Sequence, residues 1–445
     1  MDTIFAPISP IGGSVVSVRI SGKNAFDVLD IFNISKNIYL KKDLFFTKLK
    51  HENKILDEVV IKIFREPNSF TGENVVEIDL HASRLILNDL LNLIVKIPNF
   101  RFATNGEFSK RAFLNGKIDL IKSEGINAII RAETEQQRYL ANEMFYGNIN
   151  KKFNEIRTKL IESLSFIETQ IDFSEEEVPD NVIQNIKDIA NNLINELSVC
   201  LEDKKVIDKI NNGVKIAIIG EPNVGKSSLI NWLSKRDIAI VSPIAGTTRD
   251  IISVDIDLDG YKTTFYDTAG IRESNDVIEQ EGVKRAKNIA KNADLCLFIC
   301  DNVNNIQQLK IDSNEYKNDS IFIVNKSDLL QDDLKKDKKY ITKDDDLLFI
   351  SLKDNENLDK LMQKIKYKVI EKAELKHNPL AVNERHYLLL NECVDALKYI
   401  DFENMPIEII GEEIRLVIDK IGQIIGKIYT DDVLNNIFSK FCIGK

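Results

Sequence analysis

Gly220-Glu221-Pro222-Asn223-Val224-Gly225-Lys226-Ser227 fits the spacing G-x-x-x-x-G-K-[ST]. The chemistry of that spacing is phosphate binding. Its glycines let backbone N–H groups turn inward around phosphate oxygens, Lys226 can reach the outer phosphates, and the Ser227 hydroxyl can ligate Mg²⁺. Ser228 would open a helix whose positive end faces the same anion. Asn223 offers a carbonyl oxygen beside the phosphates. That oxygen could ligate a monovalent cation, which would supply positive charge where an arginine finger otherwise would.

Four further motifs follow in a workable order. In Ile244-Ala245-Gly246-Thr247-Thr248-Arg249-Asp250, Thr248 can ligate Mg²⁺ and meet the γ-phosphate through its backbone. In Asp267-Thr268-Ala269-Gly270, Asp267 can hold a metal-bound water and the Gly270 N–H can face the γ-phosphate. In Asn325-Lys326-Ser327-Asp328, Asp328 can accept from two guanine donors at once, which adenine does not offer, and Lys326 can lie over the base. Ser351-Leu352-Lys353 could present a backbone N–H to the guanine carbonyl. The five motifs in order predict a site for GTP with Mg²⁺. Ile271 stands where many GTPases place a water-orienting Gln. Polar residues that could act instead are Arg272, Glu273, Asp276, Glu279 and Glu281.

These groups need strands and helices to hold them. Apolar runs at Ile216–Ile219, Thr263–Tyr266, Ile321–Val324 and Leu347–Ile350 each precede a motif and read as strands of a doubly wound α/β unit, residues 211–375. Cys296 and Cys300, in Asp294–Asp301, read as small core residues rather than metal ligands. Residues 1–116 read as mixed α and β, with strands at Ser14–Ile20, Val59–Phe64 and Val75–Leu80 and a helix at Leu85–Val95. Glu77 and Asp79 then share one strand face, which is either simply wet or receives paired donors from a heterocycle. Helical spacing runs through Ile156, Leu160, Leu164, Ile167 and Ile171, and again through Ile183 to Leu197. It resumes at Ile410, Ile414, Val417, Ile421, Ile424 and Ile428. The simplest architecture is a helical domain, 117–210 and 376–445, interrupted by the α/β unit.

Composition narrows the class. A formal net charge of -10 over 445 residues argues against a surface coated for nucleic acid. Five scattered cysteines suit a reducing cytoplasm. No stretch is apolar for long enough to span a membrane, and the start of the chain reads as neither signal nor transit peptide.

Together these features resemble the tRNA-modification GTPase family (MnmE/TrmE), which helps build the carboxymethylaminomethyl group on wobble uridine. The likeness spans the chain. It is carried by Val18–Gly22, Asn68–Glu73, Phe113–Leu120, the nucleotide motifs and the C-terminal Phe441-Cys442-Ile443-Gly444-Lys445. It implies an N-terminal α+β domain that binds folate and dimerises, then a helical domain interrupted by a P-loop GTPase domain. It implies a tetrahydrofolate one-carbon donor, methylene or formyl, contacted by Arg19, Glu77 and Lys117 with Lys445 nearby. It implies K⁺ held by Asn223 and the backbone around Ser242, Ile244 and Thr247, and a hydrolytic water oriented by Glu279. The implied partners are a second copy, an FAD-dependent enzyme that completes a heterotetramer, and tRNA. The chain departs from the family pattern at Ala82-Ser83 (usually Gly-Gly), Asn105 (usually Pro) and Leu352 (usually Ala). Cys442 is left between a catalytic thiol and a packed tail residue. The competing reading is a ribosome-assembly GTPase that acts as an RNA-binding switch.

Overall fold

Alternation of apolar and polar residues builds the first sheet. Its strands are β1 (Thr3–Pro7), β2 (Val15–Ser21), β3 (Leu44–His51), β4 (Lys54–Phe64), β5 (Val75–His81) and β6 (Phe100–Phe102). They lie in the order β3-β4-β5-β2-β1-β6, antiparallel except where β6 joins β1. Val16, Val18 and Ile20 of β2 and Ile78 of β5 face a core closed by Leu87, Leu90 and Ile94 of the Arg84–Ile94 helix. Period two sends Ser17 and Arg19 to the opposite face, where Glu77 is the register partner of Arg19. The sequence reading finds β2 and β5 to within one residue at each end, and of β4 only the half from Val59 to Phe64. It does not find β1, β3 or β6. β3 mixes Lys and His into its alternation, as edge strands do, and β6 has only three residues.

The second sheet comprises β7 (Val214–Ile219), β8 (Ser253–Leu258), β9 (Tyr261–Asp267), β10 (Leu295–Cys300), β11 (Asp319–Val324) and β12 (Leu347–Phe349). The order is β12-β11-β10-β7-β9-β8, parallel throughout except for β8. A parallel strand covered on both faces is apolar along its length. Every residue of β10 is buried, Cys296 and Cys300 among them. Burial pushes the Cys300 thiol up to about 11, so it is an inert core group.

The computed structural model describes residues 2–52, 54–172, 182–235, 253–267, 287–316, 318–330 and 347–445. They form two compact units. One holds Met1–Asn127, Glu143–Ile189 and Asp395–Lys445, and the other Ala128–Asn142 and Ala190–Val394. In the first unit the Ile407–Ile425 helix packs on Asn148–Asp172, where Gly411 lets Ile167 approach. The predicted stripe overruns this helix. Gly426, at φ 81, caps it in the left-handed region, and Ile428 folds back onto Gly422. Ile171, at the end of its own stripe, is exposed. The acidic break predicted after Ile171 falls mostly in 173–181, outside the described residues. Among the described residues no helix is long and apolar enough to cross a membrane.

The C-terminal pentapeptide is docked in the first unit. Phe441 packs with Phe113, Leu120, Leu434 and Phe438. The Cys442 carbonyl accepts from the Gly106 N–H at 3.4 Å, and the Lys445 carbonyl from the Phe108 N–H at 3.2 Å. At Gly444, with φ 94, a Cβ would lie 2.2 Å from the Pro7 carbonyl oxygen, so only glycine fits. The Cys442 side chain stays exposed.

Candidate active site

The phosphate loop leaves the C-terminal end of β7 and enters the Lys226–Ser234 helix at Gly225. Two of its glycines are there for close approach. A Cβ at Gly220 would lie 2.1 Å from the Ile299 carbonyl oxygen, and one at Gly225 only 2.3 Å from Asn325 Nδ2. Asn223, at φ 64, bends the loop between them. Lys226 is buried, and its Nζ donates to the carbonyls of Gly220 and Glu221, both at 2.7 Å. Burial lowers the ammonium pKa, and the Asp267 and Glu221 carboxylates oppose that shift. The Ser227 hydroxyl donates to Asp267 Oδ2 at 2.9 Å. The two motifs therefore put two hard oxygens side by side, a donor set suited to Mg²⁺. Ser228 is exposed on the first helical turn, and Val224 is buried beneath the loop.

Asn325 joins this end to the other. Its side-chain amide donates to the Val224 carbonyl at 2.8 Å, and its Oδ1 accepts from the Leu352 N–H at 3.2 Å. One buried amide thus spans the phosphate loop and the Ser351-Leu352-Lys353 loop. Lys326 sits in the left-handed region at φ 60, and its Nζ pairs with Asp301 at 2.7 Å. Asp328 is exposed, and its Oδ1 accepts from the buried Ser351 hydroxyl at 2.8 Å. Lys353 is exposed beside them. Ser242, Ile244, Thr247, Thr248, Thr268, Ala269, Gly270, Ile271, Arg272, Glu273, Asp276, Glu279 and Glu281 lie outside the described residues.

A second polar cluster sits on the first sheet. The face carrying Glu77 is not simply wet, as one reading of the sequence allowed. Glu77 is 9% exposed, and its Oε1 accepts from Arg19 Nε and Nη2, both at 2.8 Å. Its Oε2 has Lys62 Nζ at 3.8 Å. Asp79 is held by Lys62 at 2.7 Å and by the Ser17 hydroxyl at 2.5 Å. The Arg19 guanidinium lies over the rings of Phe70 (5.1 Å) and Phe108 (5.5 Å). Lys117 reaches the loop that carries Phe70, with Nζ 2.8 Å from the Pro67 carbonyl and its stem against Gly72. Lys445 meets Phe108 through its backbone. Ser17, Lys62, Phe70 and Phe108 were not picked out from the sequence. Ser17 had a signal there, two residues before Arg19 on the same strand face, and Phe70 lies within the Asn68–Glu73 stretch that carries the family likeness.

Beside this cluster Arg111 pairs with Glu73 (3.0 Å), Asp2 (2.8 Å) and Glu107 (3.1 Å), while Arg101 holds Glu107 at 2.5 Å and also pairs with Asp2. Burial pushes the Glu107 carboxyl up. Hydrogen bonds from Arg101, the Thr104 N–H and Arg111 outweigh it and hold the pKa at about 2.

A family described as the GTP-binding protein TrmE N-terminus matches residues 3–117, and one described as the MnmE helical domain matches 120–442. The tRNA modification GTPase MnmE of Rickettsia canadensis is 39% identical over 455 residues, covering 100% of both chains. The MnmE of Rickettsia bellii is 40% identical over 457 residues, again across 100% of both chains. That of Rickettsia prowazekii is 38% identical over the same full coverage.

Proposed function

The chain belongs to the MnmE family of tRNA modification GTPases, and on that premise we propose that its GTP hydrolysis drives modification at position 5 of wobble uridine, adding a carboxymethylaminomethyl or aminomethyl group. It is a GTP-binding GTPase with a P-loop, as its family is. The observation that carries the nucleotide reading is the Asn325 amide, which ties the phosphate end of the pocket to the base end. Asp328 would read guanine, with Lys326 and the Ser351-Leu352-Lys353 loop around the base. The Ser227–Asp267 pair, 2.9 Å apart, supports a Mg²⁺ held by Ser227 with Thr248. The bent Asn223 supports a K⁺ site completed by Ser242, Ile244 and Thr247. When bound, K⁺ would supply positive charge at the phosphates. Two G domains would then pair, with Glu279 orienting the water.

The Arg19–Glu77 cluster fits a flat polar heterocycle. It has a buried carboxylate with one oxygen not fully engaged, an arginine and two aromatic rings. We assign it, with Lys117 and Lys445, to a tetrahydrofolate derivative, which would supply the one-carbon unit. The protein would work in the cytoplasm as a homodimer joined by an FAD-dependent partner into a heterotetramer acting on tRNA. In a strain lacking this protein, mass analysis of tRNA should show wobble uridine without the C5 group. An unchanged modification would overturn the reading. Glu279→Ala should bind GTP normally and turn over about a hundredfold more slowly. Wild-type turnover in the variant would return the water-orienting role to Arg272, Glu273, Asp276 or Glu281.

A further inference from the structure

Ser327 lies inside the guanine motif and is fully buried. Its N–H and its hydroxyl both face the loop after β12, while its carbonyl accepts from the Leu330 N–H at 3.2 Å. Its N–H donates to the Ile350 carbonyl at 3.0 Å, and its hydroxyl donates to Glu356 Oε2 at 2.7 Å. That loop is closed on itself. Ser351 and Glu356 exchange two backbone hydrogen bonds, at 3.2 and 3.0 Å. Asn355 and Asn357, on either side of Glu356, both have φ 57. This left-handed backbone is one that Asn tolerates better than most residues. It turns the chain at both flanks of Glu356, so an exposed residue sends its carboxylate back to a buried hydroxyl.

We propose that Glu356 is a positioning residue for guanine selectivity. Resting on the reading that Asp328 takes the guanine ring N–H and amino group, it deepens that reading. Two donors on one carboxylate need both oxygens near the plane of the base, and a shift of about 0.5 Å weakens one bond before the other. Ser351 steadies only one Asp328 oxygen. Ser327 directly precedes Asp328 in the same short 3₁₀ turn, and Glu356 anchors Ser327 through its hydroxyl. Without the carboxylate, the buried Ser327 hydroxyl loses its acceptor and the turn relaxes to find another.

The test compares GDP with inosine diphosphate, which lacks the exocyclic amino group, by displacement of a fluorescent guanine nucleotide from the full chain. The wild type should prefer GDP by about tenfold, the scale of one well-made hydrogen bond. Glu356→Ala and Ser327→Ala should each cut that preference by about threefold or more, and the double variant no further. Glu356→Gln keeps an acceptor and should restore most of it. A preference unchanged in both variants, or both nucleotides weakened equally, would overturn the proposal, because a merely loosened loop does not single out the amino group. A wild type without any preference for GDP would remove the Asp328 reading itself and the proposal with it. Should Ser327→Ala fail to fold, Glu356→Ala against Glu356→Gln carries the same test at an exposed position.

Discussion

The nucleotide pocket and the N-terminal sheet both fix polar groups, but with different materials. In the pocket the described fixing groups are mostly neutral. The Asn325 amide and the Ser327 and Ser351 hydroxyls tie loops together and leave Asp328 exposed to act. On the sheet the fixing groups are charges set against charges: Arg19 with Glu77, Lys62 with Asp79, Arg101 and Arg111 with Glu107. The Asn325 bridge has no pKa to lose in ordinary buffers, and the Ser327 and Ser351 hydroxyls each rest on a single carboxylate, Glu356 and Asp328, rather than on a pair of charges. A buried pair is strong only while both members stay charged. Acid, through Glu107, and salt should therefore act on the first unit before they act on the pocket.

The largest expected effect is on the neutral side. Asn325→Ala removes two hydrogen bonds and leaves the buried Val224 carbonyl and the Leu352 N–H without that partner. The cost is about 2–5 kcal/mol spread over both ends of the pocket. GTP affinity should fall by about a hundredfold or more while the first unit melts unchanged. Affinity within a few fold of wild type would mean that the two ends are positioned independently.

Next comes acid. Glu107 has a folded pKa of about 2, below the ordinary glutamate value of 4.5. A depressed carboxylate stabilises the fold above its unfolded pKa, and that stability is lost as pH falls through the folded value. The window is thus from about pH 4.5 down to about pH 2, with about 3 kcal/mol at stake. Trp232 is the only tryptophan and lies on the helix after the phosphate loop, so its fluorescence reports the second unit alone. Circular dichroism should show an acid loss that precedes the Trp232 change. Glu107→Gln should flatten that early phase. If both signals move together in the variant as in wild type, Glu107 is not the acid-sensitive group.

Glu77→Ala comes third. It strands a largely buried guanidinium, although Phe70 and Phe108 still face it. We expect a loss of about 2 kcal/mol in the first unit. Folate retention by the purified protein should disappear and GTP affinity should hold. Calorimetry that finds normal folate binding in a folded variant would refute the assignment of that cluster.

The two regions also differ in how far they can be read from sequence. The nucleotide motifs are contiguous, because a loop that wraps a phosphate or faces a base is one short stretch of chain. Gly220–Ser227, Asn325–Asp328 and Ser351–Lys353 are legible for that reason, as are the parallel strands that carry them. What joins them is not. Asn325 meets Val224 across 101 residues, and Ser327 meets Glu356 across 29. Neither pairing leaves a local trace. On the sheet the site itself is long-range: Arg19 and Glu77 are opposed only through the β2–β5 register, and Lys62 through β4–β5. Alternation shows which face a residue takes but not which residue stands opposite it. Without the family likeness, Glu77 reads as a carboxylate on a strand face that is either wet or paired with a heterocycle, and the pattern alone does not choose.

The smallest effect tests whether that face is one network or separate pairs. Lys62 is nearer to Asp79, at 2.7 Å, than to Glu77, at 3.8 Å, and is about a third exposed. Asp79 keeps the Ser17 hydroxyl at 2.5 Å when Lys62 is removed, so no buried charge is orphaned. Lys62→Ala should therefore cost less than about 1 kcal/mol, the usual worth of a solvent-reachable pair. That difference from wild type should shrink between about 0.05 M and about 0.5 M salt as screening grows. Glu77→Ala, which strands a more buried guanidinium, should keep most of its cost in the same range. If instead Lys62→Ala costs as much as Glu77→Ala and shows no salt dependence, the four charges act as a single unit. Arg19 would then owe its position to Lys62 as much as to Glu77. A double-mutant cycle between Lys62 and Glu77 would show that coupling directly, as an interaction energy well above the few tenths of a kcal/mol expected of independent sites.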